Sequence, residues 1–302
     1  MKRFRSVVFS PLARNQNNAA LRRILDLVQR NDATLTLFEA STPLPRRLRL
    51  TRSSEQIATL ASAERELHQN RLNHLMSSVD ADSANDVDVV IEEGNPAIAL
   101  IRRVLKADHD LVVVTTDDDR LLRKSPCPVW VIRQTRARTV RVLAAVNPDP
   151  DEAELNRSIL ELARATADYF GGELHIAHAY ELFAEQMMKS PLYGGYSDAE
   201  IGVLRHEEER AARKDLVGLV ETMLGHDDEI NLHVVNGQPA GAITDLVARR
   251  RINLLVLGTV GRSGLSGVVV GNTAETILTD LAGTDCSVVA VKPPGFVSPI
   301  TA

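Results

Sequence analysis

Residues 92–116, EEGNPAIALIRRVLKADHDLVVVTT, align without gaps on residues 235–259, VNGQPAGAITDLVARRRINLLVLGT. Each stretch contains a Gly-x-Pro turn, then an amphipathic helical pattern, and then a short apolar run typical of a buried strand. Such self-similarity indicates that one structural unit occurs twice in the chain. The repeat therefore predicts two domains of the same fold, joined near residues 133–139.

The similarity continues on both sides of this stretch. SVVFSP (6–11) resembles VLAAVNP (142–148), and CPVWVIR (127–133) resembles CSVVAVK (286–292). We therefore expect a first domain over residues 1–137 and a second over residues 138–302. The basic N-terminus precedes a strand of the first copy, and its apolar run is too short for a signal peptide.

Each copy alternates apolar strand patterns with longer helical ones. This order predicts an α/β fold, in which a doubly wound, Rossmann-like parallel sheet is covered by helices on both faces. Ser53 with Gln56, and Ser197 with Glu200, form capping-box patterns that predict where the long helix of each copy begins. Gly171 is predicted to end the helix before the second strand of copy two.

The composition excludes several functional classes. The chain has 302 residues, is 44% hydrophobic and carries a formal net charge of −5, which disfavours a nucleic-acid-binding surface. Two cysteines without a CxxC motif indicate neither a disulfide framework nor a zinc site. No apolar run approaches the ~18 residues of a membrane span, so we expect a cytoplasmic protein.

A Gly-x-Pro turn after the third strand, followed by Gly-x2-Gly-x9-Gly (Gly258, Gly261 and Gly271), resembles the universal stress protein family. VLGTVGR (256–262), GNTAE (271–275) and LLRKSPCPVW (121–130) are most similar to its universal stress protein E branch. The resemblance implies a five-stranded sheet in each domain, two domains packed as a pseudo-dimer, and a role in the stress response. The family includes members that bind ATP at this loop and members that do not.

The glycine loop has a chemical rationale as an anion site. Glycines after a parallel strand let backbone N–H groups approach a phosphate, and the next helix contributes the positive end of its dipole. Gly-Lys-Ser/Thr is absent, so this is not a Walker A loop. We predict that ATP or a related phosphorylated ligand contacts the following residues: Gly258, Thr259, Gly261, Gly271, Asn272 and Thr273 around the loop, and Asn147, Ala179 and Gly237 elsewhere.

Two residues depart from the pattern of the ATP-binding members. Those members usually carry Ser or Thr where this chain has Asn272, and an aspartate where it has Asn147. An amide still donates and accepts hydrogen bonds, so nucleotide binding stays our interpretation. The alternative is a scaffold for protein partners that binds no nucleotide.

The first copy lacks the glycine loop. Residues 117–126 contain no glycine, and Asp117, Asp118 and Asp119 stand where phosphate would bind. We align Ser10 with Asn147. Carboxylates in place of N–H donors would repel a nucleotide, so we expect one ligand per chain, in the second domain.

Other candidate motifs favour structural roles. His175 and His178 should point to opposite faces of a strand, which argues against a shared metal. Cys127 and Cys286 occupy equivalent positions and are expected to be buried apolar residues. Residues 187–198 could form a lid or a partner surface. No nucleophile motif such as GxSxG is present, so we expect a non-catalytic regulator, with unidentified protein partners and a possible homodimer.

Overall fold

The structure is a computed structural model that describes residues 4–11, 17–77, 87–133, 139–183, 185–189, 195–259 and 272–301. The side chains of residues 17, 46, 48, 49 and 186 are also outside that description. Contacts divide the chain into two compact units, and each contains one copy of the repeat. The division at residues 137/138 remains a prediction.

Within its described residues, the unit of the first copy contains five parallel strands that form a sheet. Its strands are β1 (Ser6–Ser10), β2 (Thr34–Ser41), β3 (Val87–Glu93), β4 (Leu111–Val114) and β5 (Val129–Val131), in the order β3-β2-β1-β4-β5. Between them lie α1 (Asn17–Asn31), α2 (Arg46–Thr51), α3 (Ser54–Met76), α4 (Pro96–Ala107) and α5 (Asp119–Lys124).

The unit of the second copy repeats this order. Its strands are β6 (Arg141–Ala145), β7 (Glu173–Tyr180), β8 (Asn231–Asn236), β9 (Leu254–Gly258) and β10 (Ser287–Val291), arranged β8-β7-β6-β9-β10. A 3₁₀ turn (Pro150–Glu152) is followed by α6 (Ala153–Phe170), α7 (Glu185–Met188), α8 (Asp198–Leu224), α9 (Pro239–Arg250) and α10 (Asn272–Asp280).

Right-handed crossovers decide where the helices pack in the second unit. The chain moves outward from β6 through β7 to β8, and then returns across the sheet to β9 and β10. Right-handed connections therefore place α6 and α8 on one face and α9 and α10 on the other. The contacts agree, because α6 packs against α8 and α9 packs against α10. The predicted doubly wound fold is confirmed.

Local sequence signals explain where the helices begin and end. Both predicted capping boxes form, because the hydroxyls of Ser53 and Ser197 accept hydrogen bonds from the N–H groups of Gln56 and Glu200. Gly171 ends α6 with φ +58°, the left-handed conformation that favours glycine. The amphipathic spacing of α4 buries Ala97, Leu100, Ile101 and Val104, as its apolar face requires.

The strand register corrects one alignment between the copies. Val7 pairs with Leu111 on β4, and Val142 pairs with Leu254 on β9. Because Leu111 and Leu254 are equivalent in the repeat, Val7 corresponds to Val142, and Ser10 corresponds to Ala145. Our alignment of Ser10 with Asn147 was therefore wrong. An apolar run can slide along another without losing its pattern, whereas the partner strand defines one register.

Candidate functional site

A cavity of about 540 Å³ opens at the carboxyl edge of the second unit's sheet. Its wall combines the ends of β6, β7 and β9 with the starts of α6, α9 and α10. The carboxyl edge is where ligands bind in open α/β sheets, at the point where the strand order reverses. Here that point lies between β6 and β9, the first and fourth strands of the unit.

Five of the predicted site residues line this cavity: Asn147, Ala179, Gly258, Asn272 and Thr273. They come from four separate segments of the sequence, and the parallel sheet brings them together because its strand ends meet at one edge. Gly261 and Gly271 lie outside the described residues.

Two other predicted residues do not line the cavity. The Thr259 side chain is fully buried, and its hydroxyl donates to the carbonyl of Val291 at 3.3 Å. Gly237 donates its N–H to the carbonyl of Tyr180 at 2.9 Å and has φ +125°. The turn that Gly237 begins brings Pro239, at the start of α9, to the cavity wall.

Asn147 is held in place by residues that the sequence did not single out. Asn156, fully buried on α6, accepts from the Asn147 N–H at 3.3 Å and donates to the Asn147 carbonyl at 2.5 Å. The Asn147 side-chain amide in turn donates to Glu152 at 3.2 Å. All three residues line the cavity, so a carboxylate lies beside the amide. Glu152 was missed because its segment, NPDPDE, reads as an ordinary acidic loop.

Gly258 has a packing reason of its own. A Cβ at this position would lie 2.7 Å from Cδ2 of Leu155 on α6. The absence of a side chain therefore lets α6 approach the end of β9, whatever the cavity binds. Leu155 also lines the cavity, so the side chain that packs against Gly258 is also part of the cavity wall.

The start of α10 forms part of the cavity wall. Asn272 and Thr273 are exposed and form its first turn. The first N–H groups of a helix have no partner within the helix, and the dipole makes this end positive. In general, such a helix start is an end that favours an anion.

His178 is the site residue that sequence reasoning placed elsewhere. We expected it to have a structural role, but it lines the cavity at the end of β7. Its Nδ1 lies 3.3 Å from the carbonyl oxygen of Val146. Burial lowers the pKa of its imidazole, an effect that hydrogen bonding to Val146 and the charge of Asp215 oppose. Strand alternation predicted that it faces away from His175 but could not reveal the cavity there.

His175 faces away from His178, as predicted. Its Nδ1 lies 3.0 Å from Nε2 of His233, and the two rings stack with centroids 5.3 Å apart. No group of three or more histidine, cysteine or acidic residues suited to a metal occurs within the described ranges. Cys127 and Cys286 are buried, and burial raises the pKa of the Cys127 thiol to about 12.

The first unit uses the corresponding positions for internal contacts. Gly94 donates to the Ser41 carbonyl as Gly237 does to that of Tyr180, so Glu39 occupies the position of His178. Glu39 is buried and bonds Arg71 at 2.6 Å and His68 at 3.1 Å.

Acidic residues also occupy the end of the fourth strand in the first unit. Asp118 caps α5 by accepting from the N–H groups of Arg120 and Leu121. Asp117 pairs with Arg133 at 2.7 Å. N–H groups at the start of α5, which would otherwise attract an anion, therefore already donate to a carboxylate of the chain itself.

A sequence model described as the universal stress protein family matches residues 13–133 and, separately, residues 140–292. The chain belongs to the universal stress protein family. It is a tandem member, because both copies match, and universal stress proteins act in the stress response. Within the described residues, no helix is both long and apolar enough to cross a bilayer.

Relatives of this universal stress protein share its tandem length. Universal stress protein E of Photorhabdus laumondii is 28% identical over 322 residues, which cover 98% of this chain and 96% of that protein. The Haemophilus influenzae homolog of universal stress protein E is 27% identical, covering 95% and 96%.

Solved structures support the same fold at lower identity. A functionally unknown protein from Pseudomonas aeruginosa PAO1 superposes with a TM-score of 0.66 at 21% identity, covering 96% of this chain and 93% of that one. A universal stress protein from Archaeoglobus fulgidus gives a TM-score of 0.60 at 16% identity, covering 95% and 98%.

Proposed function

We propose that the second domain of this universal stress protein binds ATP or a related adenine nucleotide and that occupancy regulates the protein without catalysis. The observation that carries this proposal is a cavity that joins the ends of β6, β7 and β9 to the start of α10. Its volume of about 540 Å³ lies within the range of small-molecule sites, roughly 300–1,000 Å³.

The chemistry of the wall supports a ligand with an anionic end. The N–H groups of α10 and the Thr273 hydroxyl suit phosphate, while Glu152 and Asn147 offer acceptors for hydroxyl groups further along the edge. Ile159, Ala179 and Ile243 give the remaining wall an apolar character suited to a base.

In this proposal, the protein acts in the cytoplasm and nucleotide binding changes how it interacts with protein partners. The alternative is a scaffold that binds protein partners without a nucleotide. Calorimetry with MgATP distinguishes them. We expect a dissociation constant below about 1 mM, which corresponds to about −4 kcal/mol. Absence of heat at that concentration would favour the scaffold.

Charge substitutions at the two ends of α10 localise the phosphate. Thr273→Glu places a carboxylate at the first turn, and we expect at least a tenfold loss of affinity because like charges repel. Thr279→Glu is the matched control, because it adds the same charge at an exposed position near the other end of α10. Asn272→Ser should preserve or strengthen binding, because a hydroxyl replaces the amide.

A further inference from the structure

The hydrogen bond that His178 makes with Val146 determines which of its ring nitrogens can accept a hydrogen bond. A carbonyl oxygen only accepts, so the hydrogen bond from Nδ1 to Val146 requires the proton on Nδ1. In the neutral ring, Nε2 then carries a lone pair. Nε2 bonds no other group in the part of the chain that the structure describes, whereas the ring as a whole lines the cavity.

The surroundings of His178 favour the neutral ring. Burial lowers its pKa, and Asp215 on α8 opposes this shift. Among the described residues, the carboxylate that lines this cavity is Glu152, which accepts from the Asn147 amide. His178 thus contributes a lone pair to the wall, and a phosphate would be repelled by it.

The order of strands places His178 away from the anionic end. Helix α10 follows β9, and β6 separates β9 from β7. Two strand spacings amount to roughly 10 Å. A nucleotide whose phosphates contact α10 would extend past Asn147 and Glu152, which follow β6. Its base would then lie at the end of β7 beside His178.

We propose that His178 determines base specificity by accepting a hydrogen bond from the amino group of a 6-aminopurine, and that it discriminates against a 6-oxopurine. An oxo group would direct its own lone pair at Nε2, and neither atom could donate. This inference rests on the proposed function, since it concerns the same cavity.

The first experiment needs no ligand. Nitrogen-15 NMR of the full-length protein with labelled histidine at pH 7.5 should show His178 neutral and protonated on Nδ1, with its signals assigned by their loss in His178→Gln. A ring protonated on Nε2, or on both nitrogens, would overturn the inference and leave nucleotide binding itself standing.

The second experiment compares ATP with ITP, which carries an oxo group in place of the amino group. Calorimetry should show ATP bound about 3–10-fold more tightly, the range for one hydrogen bond. His178→Phe keeps a ring but removes the acceptor, and should bring the two affinities within twofold. His178→Leu is the second variant if the phenylalanine does not fold.

His233→Phe is the matched control, because this ring lies on the neighbouring strand and outside the cavity wall. It should keep the wild-type preference for ATP. Equal affinities in wild type, or a preference that survives in His178→Phe and His178→Leu, would overturn the inference alone. Failure of wild type to bind either nucleotide would overturn the proposed function together with it.

Discussion

Asn253 holds the backbone at the start of β6 by accepting one hydrogen bond and donating another, as Asn156 does just after the strand ends. The Asn253 carboxamide accepts from the N–H of Arg141 at 2.9 Å and donates to the carbonyl of Thr139 at 3.0 Å. Both asparagines are buried. Only Asn156 lies at the cavity, so the pair separates the effect of a buried amide on stability from its effect on a ligand.

Asn156→Ala should reduce both stability and ATP affinity. The variant removes the partner of the Asn147 N–H and leaves the Asn147 carbonyl bonded only to the N–H of Asp149, at a cost of about 1–3 kcal/mol in the free energy of unfolding. The released backbone no longer positions Asn147 beside Glu152, so we expect weaker binding. Urea denaturation and calorimetry measure the two effects.

Asn253→Ala is the control for that variant. It should lose a similar free energy of unfolding but keep the wild-type affinity, because Asn253 lies at the opposite edge of the sheet. Equal losses of affinity in the two variants would mean that Asn156 acts only through global stability.

Gly258→Ala should destabilise the second domain through Leu155. The added methyl group would lie 2.7 Å from Cδ2 of Leu155, and such overpacking typically costs about 1–3 kcal/mol. In the double variant with Leu155→Ala, the methyl group has room. Thermal and urea unfolding of the four proteins should give a favourable coupling of about 0.5–3 kcal/mol, whereas additive effects would refute the contact.

One nucleotide should bind per chain. In the first unit, Asp118 already occupies the N–H groups of α5, and Glu39 bonds Arg71 at the position of His178. Calorimetry at known protein concentration should therefore give a stoichiometry of one. Hydrogen exchange should show ligand protection at residues 145–147, 178–179 and 272–277, and protection confined to residues 4–133 would contradict the prediction.

Stability should fall as the pH decreases below about 6.5. Burial and then the charges of His175 and Arg250 lower the pKa of His233 from 6.5 to about 4. As the pH falls, His233 is protonated in the unfolded chain before it is protonated in the folded one. The stability that the neutral His233 contributes is therefore complete above the unfolded pKa and disappears as the pH approaches 4. Because the ring is partly exposed, solvent screening limits its contribution to the free energy of unfolding to about 1–2 kcal/mol.

The variant His233→Gln tests this dependence. Urea unfolding at pH 7.5 and 5.0 should differ less in the variant than in wild type. His175, His178 and His109 also have lowered pKa values, so part of the slope should remain. His206→Gln, at an exposed position on α8, is the control for replacing a histidine by glutamine. An undiminished slope in His233→Gln would contradict the assignment.

The repeat made most of the fold predictable. Two gapless copies of strand, turn and helix defined the units, and the capping boxes placed the starts of α3 and α8 at Ser54 and Asp198. Glycine at position 171 correctly predicted the end of α6. These signals are local, because each depends on residues within a few positions of one another.

The site was less predictable because its contacts are distant in sequence. His178 meets Val146 across 32 positions, and the contact of Gly258 with Leu155 spans 103. Asn156 lies on the buried face of α6, and the hydrophobic periodicity of a helix does not single out a polar residue there. Thr259, named from its place beside the glycine, instead bonds Val291 on the next strand.

Asn253 and Asn156 also favour the correct register of β6 against its neighbouring strands. Strand β6 is flanked by β7 and β9, and its apolar sequence would tolerate a shift of one residue along either neighbour. Such a shift would carry Arg141 and Asn147 past Asn253 and Asn156 and break four hydrogen bonds at once. A mispaired sheet would therefore leave two buried carboxamides unsatisfied, which gives the correct pairing a margin that apolar packing alone does not provide.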